Sequence, residues 1–201
     1  MNAAYVLDRS YATIRQRLLT GVYRPGQRLE ASRIADDIAV SMTPVRDALN
    51  RLTGEGLVEA EAGEGFRVPF VTSDGLRGLI DWNRHLSLLC ARRICRRSER
   101  QNVTDDMDYA DRATLLFSRL AKDTGLAEAV SAIDRISARL HRVRMIEAEL
   151  IPSATGEIVL LGEAFDTGDR RQLGRLLEKY HRMRLRMVPD LVRRIRPDPK
   201  I

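Results

Sequence analysis

Two short helical segments separated by only three residues are the feature that most constrains the fold of this chain. The first begins near Glu30, and its predicted buried side is formed by Ile34, Ala35 and Ile38. After a break at residues 39–41, Thr43 is predicted as the N-cap and Pro44 as the first helical residue of the second segment. The apolar residues of that segment follow the spacing of one helix face: Val45, Ala48, Leu49 and Leu52. Two amphipathic helices joined this tightly are typical of a helix-turn-helix.

The flanking segments extend this unit on both sides. An amphipathic helix precedes it and ends at Gly21; its apolar stripe is Leu7, Tyr11, Ile14 and Leu18. Two β-favouring runs follow it at residues 57–60 and 66–70, and the glycine-containing stretch 61–65 between them predicts a small hairpin. Three helices followed by a hairpin predict a winged helix-turn-helix domain over residues 1–71.

The strand pattern stops after residue 71, and the rest of the chain is predicted to be helical with short breaks. Helices are expected over about 76–94, 105–121 and 126–149, then a short one ending near Phe165 and a long one after Gly168. Short breaks favour antiparallel neighbours. The predicted fold class is therefore mainly α, with an all-α antiparallel helical bundle as a second domain over residues 72–201.

The charge is distributed unevenly between these two predicted domains. The net charge is +6, but residues 1–71 contain nine basic and nine acidic residues, whereas 25 basic residues face 19 acidic ones in the remainder. The chain has no apolar run long enough to span a bilayer, and Asp8 and Arg9 interrupt the N-terminus, so we expect a cytoplasmic protein without membrane contact. Cys90 and Cys95 fit neither a disulfide framework nor a zinc site and are predicted to be reduced thiols.

The sequence of the first domain resembles the DNA-binding domain of the GntR family. The matching stretches are VYRPGQRLE at residues 22–30, VSMTPVRDALNRL at 40–52, EGLV at 55–58 and GFRV at 65–68. The resemblance implies double-stranded operator DNA as a partner. A recognition helix reaches bases from its N-terminal turns, which makes candidate contacts of three residues: Thr43, Arg46 and Asn50.

Two further arginines are candidates for DNA contact, and each candidate has an ordinary alternative. Arg33 is expected to meet phosphate. Arg67 either enters the minor groove from the wing or is a surface strand arginine. Arg46 has the alternative of a solvated charge paired with Glu30 or Asp47.

The N-terminal domain departs from the family pattern at two positions. Met42 stands where an arginine is usual, which removes a positive charge. Ala39 stands where a glycine is usual, which costs on the order of 1 kcal/mol if the backbone φ there is positive.

The second domain is similar to the ligand-sensing FCD domain of the FadR-like branch. The resemblance implies a divalent metal held by an Asp, a His four residues later and two more His. Asp134 matches the first position, but the three His positions fall on Ala138, Ile158 and Tyr180. We therefore expect no metal and no cofactor.

A small-molecule effector, such as an organic acid, is expected at that place instead. Its predicted contacts combine one face of the third predicted helix with polar side chains of the last one: Asp134, Ala138, His141, Tyr180, His181 and Arg184. The alternatives are that Asp134 pairs with a core arginine such as Arg184 and that His141 faces solvent. The basic run from Arg182 to Arg196 is either an anion-binding surface or a solvated helix face.

Taken together, these features predict a homodimeric, sequence-specific transcriptional regulator that acts as a metabolite-responsive repressor. One alternative is a constitutive DNA-binding protein whose helical domain only dimerises. A metal-dependent enzyme built on the helical domain is disfavoured because the His residues are scattered and no phosphate loop or activated nucleophile is present. The chain is not expected to be an enzyme.

Overall fold

The chain folds into two compact units, one ending at Val71 and the other beginning at Thr72. The computed structural model describes residues 3–61, 63, 65–94 and 107–195. Cys95, Asp105 and Arg196, which the sequence predictions include, lie outside the described residues.

The first unit is a winged helix-turn-helix, as predicted. Its elements in chain order are α1 (Ala3–Leu19), β1 (Arg28–Leu29), α2 (Ala31–Asp37), α3 (Met42–Gly54), β2 (Glu59–Glu61) and β3 (Gly65–Arg67). Helix α1 packs against α3, and α2 packs against α3 as well. The core is formed by apolar side chains that are almost fully buried, among them Ile14, Ile34, Val45, Leu49 and Leu52.

The sheet has three antiparallel strands in the order β1-β3-β2, one more than the predicted hairpin. Phe66 of β3 pairs with Leu29 on one side and Ala60 on the other. Strand β1 has only two residues, too few for a period-two pattern, so the sequence did not reveal it. Gly26, just before β1, has a φ of +77° and lies so close to the Phe70 ring that a Cβ there would overlap it.

Helix α3 begins two residues earlier than predicted. Ser41 has the extended backbone of an N-cap and Met42 is the first helical residue, so Thr43 is not the N-cap and Pro44 is the third helical residue. Proline is tolerated there because the N–H groups of the first turn have no partner inside the helix.

The second unit is all-α. It consists of α4 (Ser73–Arg93), α5 (Tyr109–Lys122), α6 (Ala127–Leu150), α7 (Ala154–Asp166) and α8 (Arg170–Ile195). Side chains cap three of these helices by accepting from backbone N–H groups: Thr72 before α4, Asp108 before α5 and Asp169 before α8. Helix α4 packs along α8, and α5 along α6, while α7 contacts both α5 and α8. Within the described ranges, no helix is long and apolar enough to cross a membrane.

Candidate nucleic-acid interface and buried polar cluster

The outer face of α3 presents the three side chains that the sequence singles out for DNA contact. Thr43, Arg46 and Asn50 are all exposed, while Val45 and Leu49 behind them are fully buried. The spacing i, i+3, i+7 places the three on one side of the helix over two turns. Arg46 and Asn50 also line a groove of about 470 Å³ whose other walls come from β1, the start of α2 and β3. A guanidinium and an amide on such a surface are the groups that read base edges in a major groove.

Arg46 is not held by either of the acidic residues proposed as its alternative partners. Glu30 instead pairs with Arg33, with Nε to Oε2 at 2.9 Å. Within the part of the chain that the structure describes, Arg46 forms no ion pair with Glu30 or Asp47. Arg33 is highly exposed, which suits a phosphate contact from α2.

Arg67 is engaged inside the small sheet. It is half-buried on β3, pairs with Glu61 of β2, and its guanidinium carbon lies 6.0 Å from the centre of the Phe70 ring. This geometry matches the alternative of a strand arginine rather than one extended from the wing.

Ala39 forms the turn between α2 and α3 in a left-handed conformation. Its φ is +54°, the only positive φ of a non-glycine residue in the described ranges. The Val40 N–H donates to the Ala35 carbonyl at 3.0 Å, which closes the C-terminal end of α2. The family's usual glycine would adopt this conformation without the steric penalty that a Cβ brings.

In the helical domain, a buried arginine connects four helices. Arg184 of α8 donates from Nε to Glu147 Oε2 of α6 at 3.0 Å, from Nη2 to the Tyr109 hydroxyl of α5 at 2.8 Å, and from Nη1 to Glu157 of α7. The Tyr109 hydroxyl donates to Glu147 Oε2 at 2.7 Å and lies 3.2 Å from the Tyr180 hydroxyl. Burial raises the pKa of both tyrosines, so both are neutral hydrogen-bonding groups.

Arg144 of α6 is equally buried but is much less well satisfied. Its side chain is 1% exposed, and its guanidinium carbon lies 5.0 Å from the centre of the Phe117 ring. Nη1 donates to the Thr114 hydroxyl at 3.1 Å, whereas Nε and Nη2 have no hydrogen-bond partner among the described residues. These two atoms form the edge of a guanidinium that binds a carboxylate in two parallel hydrogen bonds. Unsatisfied buried donors are rare and point to a missing partner.

His181 and Asn83 form a buried hydrogen-bonded pair next to this arginine, with one unsatisfied acceptor. The His181 Nδ1–H donates to the Leu177 carbonyl at 2.8 Å, so Nε2 accepts from Asn83 Nδ2 at 3.0 Å and leaves the buried Asn83 Oδ1 without a donor. The His181 ring is 5.8 Å from that of Phe117, on which Arg144 also lies. Burial lowers the pKa of His181 to about 3, with the charges of Arg184 and Arg144 acting in the same direction.

The predicted effector residues are brought together only in part. Tyr180, His181 and Arg184 are buried in one cluster, and Ala138 is buried on α6. Asp134 is exposed and does not pair with Arg184, whose carboxylate partners are Glu147 and Glu157, so Asp134 lies outside the buried cluster. His141 is mostly buried, with Nδ1 4.0 Å from Asp111, rather than facing solvent.

Three buried polar residues with unsatisfied side-chain atoms are not among the predicted effector contacts: Asn83, Ser137 and Arg144. A signal existed for Arg144, because two helical turns beyond Ser137 the buried stripe of α6 places an arginine among apolar residues. Ile158, which replaces a metal-binding His of the FCD pattern, is buried as an apolar side chain. In the described ranges, no group of three potential metal-binding side chains converges.

Sequence comparison connects the first domain to known regulators. Residues 8–68 match the family described as bacterial regulatory proteins, gntR family. The Nta operon transcriptional regulator of Aminobacter aminovorans is 33% identical over 87 residues, which cover 43% of this chain and 41% of that protein. The Exu regulon transcriptional regulator of Escherichia coli K12 is 45% identical over 58 residues, covering 28% of this chain and 22% of that protein.

These matches span well under half the length of the curated relatives, which are named as transcriptional regulators and not as enzymes. The fold extends further than the sequence similarity. A structure of a GntR transcriptional regulator from Rhodococcus sp. RHA1 has a TM-score of 0.71 at 18% identity, and E. coli McbR/YncC has a TM-score of 0.65 at 17%. Each comparison covers 92% of this chain and 97% of the other. The winged helix-turn-helix of residues 8–68 is thus a DNA-binding domain of the gntR family.

Proposed function

We propose that this protein is a homodimeric, sequence-specific DNA-binding transcriptional regulator whose helical domain binds a small carboxylate effector. The observation that carries DNA recognition is the outer face of α3, where Thr43, Arg46 and Asn50 are exposed together. Arg46 forms no ion pair with Glu30 or Asp47 in the described residues, so its guanidinium is available for a base or phosphate. By occupying an operator, such a protein acts as a repressor.

DNA recognition is tested by selecting duplexes from a random-sequence library with the purified protein. The wild type is expected to enrich a two-fold symmetric sequence, and Arg46→Ala is expected to weaken binding to it by about 1–3 kcal/mol. Arg51→Ala is the matched control on the same helix, because its guanidinium lies 3.8 Å from the centre of the Tyr11 ring and pairs with Asp8 on the side facing α1. Equal loss in both variants, or no loss in either, would contradict the assignment of α3.

The effector proposal is supported by a difference between two buried arginines in their hydrogen-bond acceptors. Arg184 receives both carboxylates of the cluster, Glu147 and Glu157, whereas the Nε and Nη2 donors of Arg144 face no acceptor in the described residues. An unsatisfied buried donor costs about 1–3 kcal/mol, and more when the group is charged. A ligand carboxylate that accepts from both atoms would remove this cost and gain a charge-assisted pair.

The neighbouring unsatisfied groups indicate what else the effector carries. Asn83 Oδ1 requires a hydrogen-bond donor, since its amide nitrogen is already committed to His181. The hydroxyl of Ser137 lies two turns from Arg144 on the same helix, about 10 Å along the axis, and is also unpartnered. We infer a hydroxy acid or a similar organic acid, with the carboxylate at Arg144 and a hydroxyl near Asn83. Arg144, Asn83 and Ser137 thereby take the place that Asp134 had in the sequence prediction.

The effector proposal is tested by thermal shift with matched acids and amides, such as lactate and lactamide, glycolate and glycolamide. The acids are expected to raise the melting temperature of the wild type, and the amides are not. Arg144→Met is expected to abolish the shift while leaving the protein as stable or more stable, because a buried arginine without its partner is destabilising. A library of organic acids without any shift would support the alternative, a helical domain that only dimerises.

A homodimer is proposed because one recognition helix offers too few contacts for a specific site. Two winged helix-turn-helix domains related by two-fold symmetry match half-sites about one DNA turn apart. The helical domain offers apolar surface for such an interface: Trp82 and Leu89, seven residues apart on one side of α4, are 54% and 43% exposed. Light scattering of the protein without DNA is expected to give twice the chain mass. A monomer at micromolar concentration would contradict the proposal.

A further inference from the structure

A continuous row of positive charge follows one side of α8, on the domain that does not contain the helix-turn-helix. The row, here called the α8 basic stripe, consists of Arg171, Arg175, Lys179, Arg182 and Arg186. Steps of three and four residues place all five on one face of the helix over roughly 22 Å. All five side chains belong to exposed residues.

The stripe is not neutralised by acidic neighbours. The one acidic residue within it, Glu178, accepts from Arg84 of α4 at 3.2 Å and is thereby already paired. No ion pair connects any of the five stripe residues to a carboxylate in the ranges described. A like-charged row on a helix is destabilising by itself, because neighbours at i and i+4 repel by a few tenths of a kcal/mol per pair. The row is therefore more than a solvated face in which charges of both signs alternate.

The stripe also borders a groove, which widens the positive surface. The groove has a volume of about 790 Å³ and lies between α4 and α8, and Arg92 and Arg170 add two further cations to its walls. Its apolar floor includes Leu88 and Ala91. A positively charged row beside a concave surface concentrates the field and attracts extended polyanions.

We propose that the α8 basic stripe binds the phosphate backbone of duplex DNA without regard to sequence. Duplex DNA carries one charge per about 3.4 Å along each strand, so a row of roughly 22 Å runs past about six phosphates. A second copy of this chain is a poor occupant, because a two-fold contact through this face would place the stripe against itself. The first domain, with nine basic and nine acidic residues, supplies no net charge for non-specific attraction, whereas the second carries the whole excess.

The test measures the salt dependence of binding to a random-sequence duplex by the full chain. Substituting Arg171, Arg175 and Arg182 together by Gln is expected to reduce the slope of log K against log salt by about 2.7, that is, about 0.9 for each lost phosphate contact. The factor by which affinity falls between 50 and 200 mM salt is then about 40-fold smaller for the variant than for the wild type. Gln keeps a helix propensity close to that of Arg, so α8 should remain intact, which circular dichroism checks.

The matched control substitutes Lys122, Arg135 and Arg139 by Gln, since these are exposed cations on α5 and α6 rather than on α4 or α8, and the net charge falls by the same three units. The control is expected to change the slope by less than about 1. Equal slopes for the two triple variants would overturn the proposal. It would also be overturned if the stripe variant lost binding to polyglutamate but bound DNA as the wild type does. Arg46→Ala separates this inference from operator recognition, because it removes preference for the selected site but leaves the stripe-dependent slope in place.

Discussion

Replacing His181 should remove a specific pH dependence from the stability of the helical domain. His181 is 1% exposed, and burial lowers the pKa of its imidazole to about 3, against about 6.5 in an unfolded chain. Between these two values the unfolded state binds a proton that the folded state does not, so acid favours unfolding. The contribution of neutral His181 is therefore complete above pH 6.5 and is lost progressively as the pH falls toward 3.

The expected size follows from the two pKa values. Between pH 7 and pH 5, protonation of the unfolded imidazole lowers the free energy of unfolding by about 2 kcal/mol. For a chain of this length that corresponds to a decrease of about 4–8 °C in the melting temperature. His181→Gln retains an acceptor for the Asn83 amide but cannot be protonated in this range, so this part of the pH dependence should disappear.

Thermal unfolding at pH 7, 6 and 5 measures this effect at one fixed protein concentration. The emission of Trp82, the only tryptophan of the chain and a residue of α4, follows the helical domain. His85→Gln is the control, because His85 is exposed and its ring interacts mainly with Asp81. If wild type and His181→Gln show the same decrease from pH 7 to pH 5, the buried neutral state of His181 is wrong.

Three further predictions concern the turn, the sheet and the absence of metal. Ala39→Gly should raise the stability of the first domain by about 1 kcal/mol in chemical denaturation, because φ at this position is +54°; an unchanged midpoint would contradict that conformation. Gly26→Ala should destabilise it by about 1–3 kcal/mol more than Gly63→Ala, since both have positive φ but only Gly26 lies against the Phe70 ring; equal losses would refute the close contact. A chelator should change neither melting temperature nor DNA affinity, because Ala138 and Ile158 cannot coordinate a metal; elemental analysis with one metal per chain would show the opposite.

The sequence predicted the features that depend on local periodicity and missed those that depend on long-range pairing. The buried faces of α1 and α3 follow directly from the spacing of Ile14, Val45 and Leu49. Strand β1 was missed because its two residues become a strand only by pairing with β3, which lies almost forty residues further along the chain. The start of α3 was misplaced because proline fits the third helical position as well as the first.

In the interior of the helical domain, too, local spacing predicts some features and long-range packing decides others. Tyr180, His181 and Arg184 are buried together, since positions i, i+1 and i+4 on one helix lie close whatever surrounds them. Asp134 was placed inside because it matches a family position, but α6 is rotated so that Ile133 and Ser137 face inward and Asp134 does not. Arg184 pairs with both glutamates and Arg144 is left unsatisfied because of how several helices are rotated relative to one another. Spacing within a single chain segment contains no information about it.

The position of Arg184 has a consequence for how the helical domain opens. Its hydrogen bonds connect α8 to α5, α6 and α7. If one of these helices moves away, the guanidinium loses one partner while the remaining partners still hold its charge in the interior. Opening one helix alone therefore costs free energy, and partial opening of the domain is suppressed relative to complete opening. Amide hydrogen exchange in the core turns of α5–α8 should then report a single cooperative free energy, whereas Arg184→Met would allow α7 to exchange on its own.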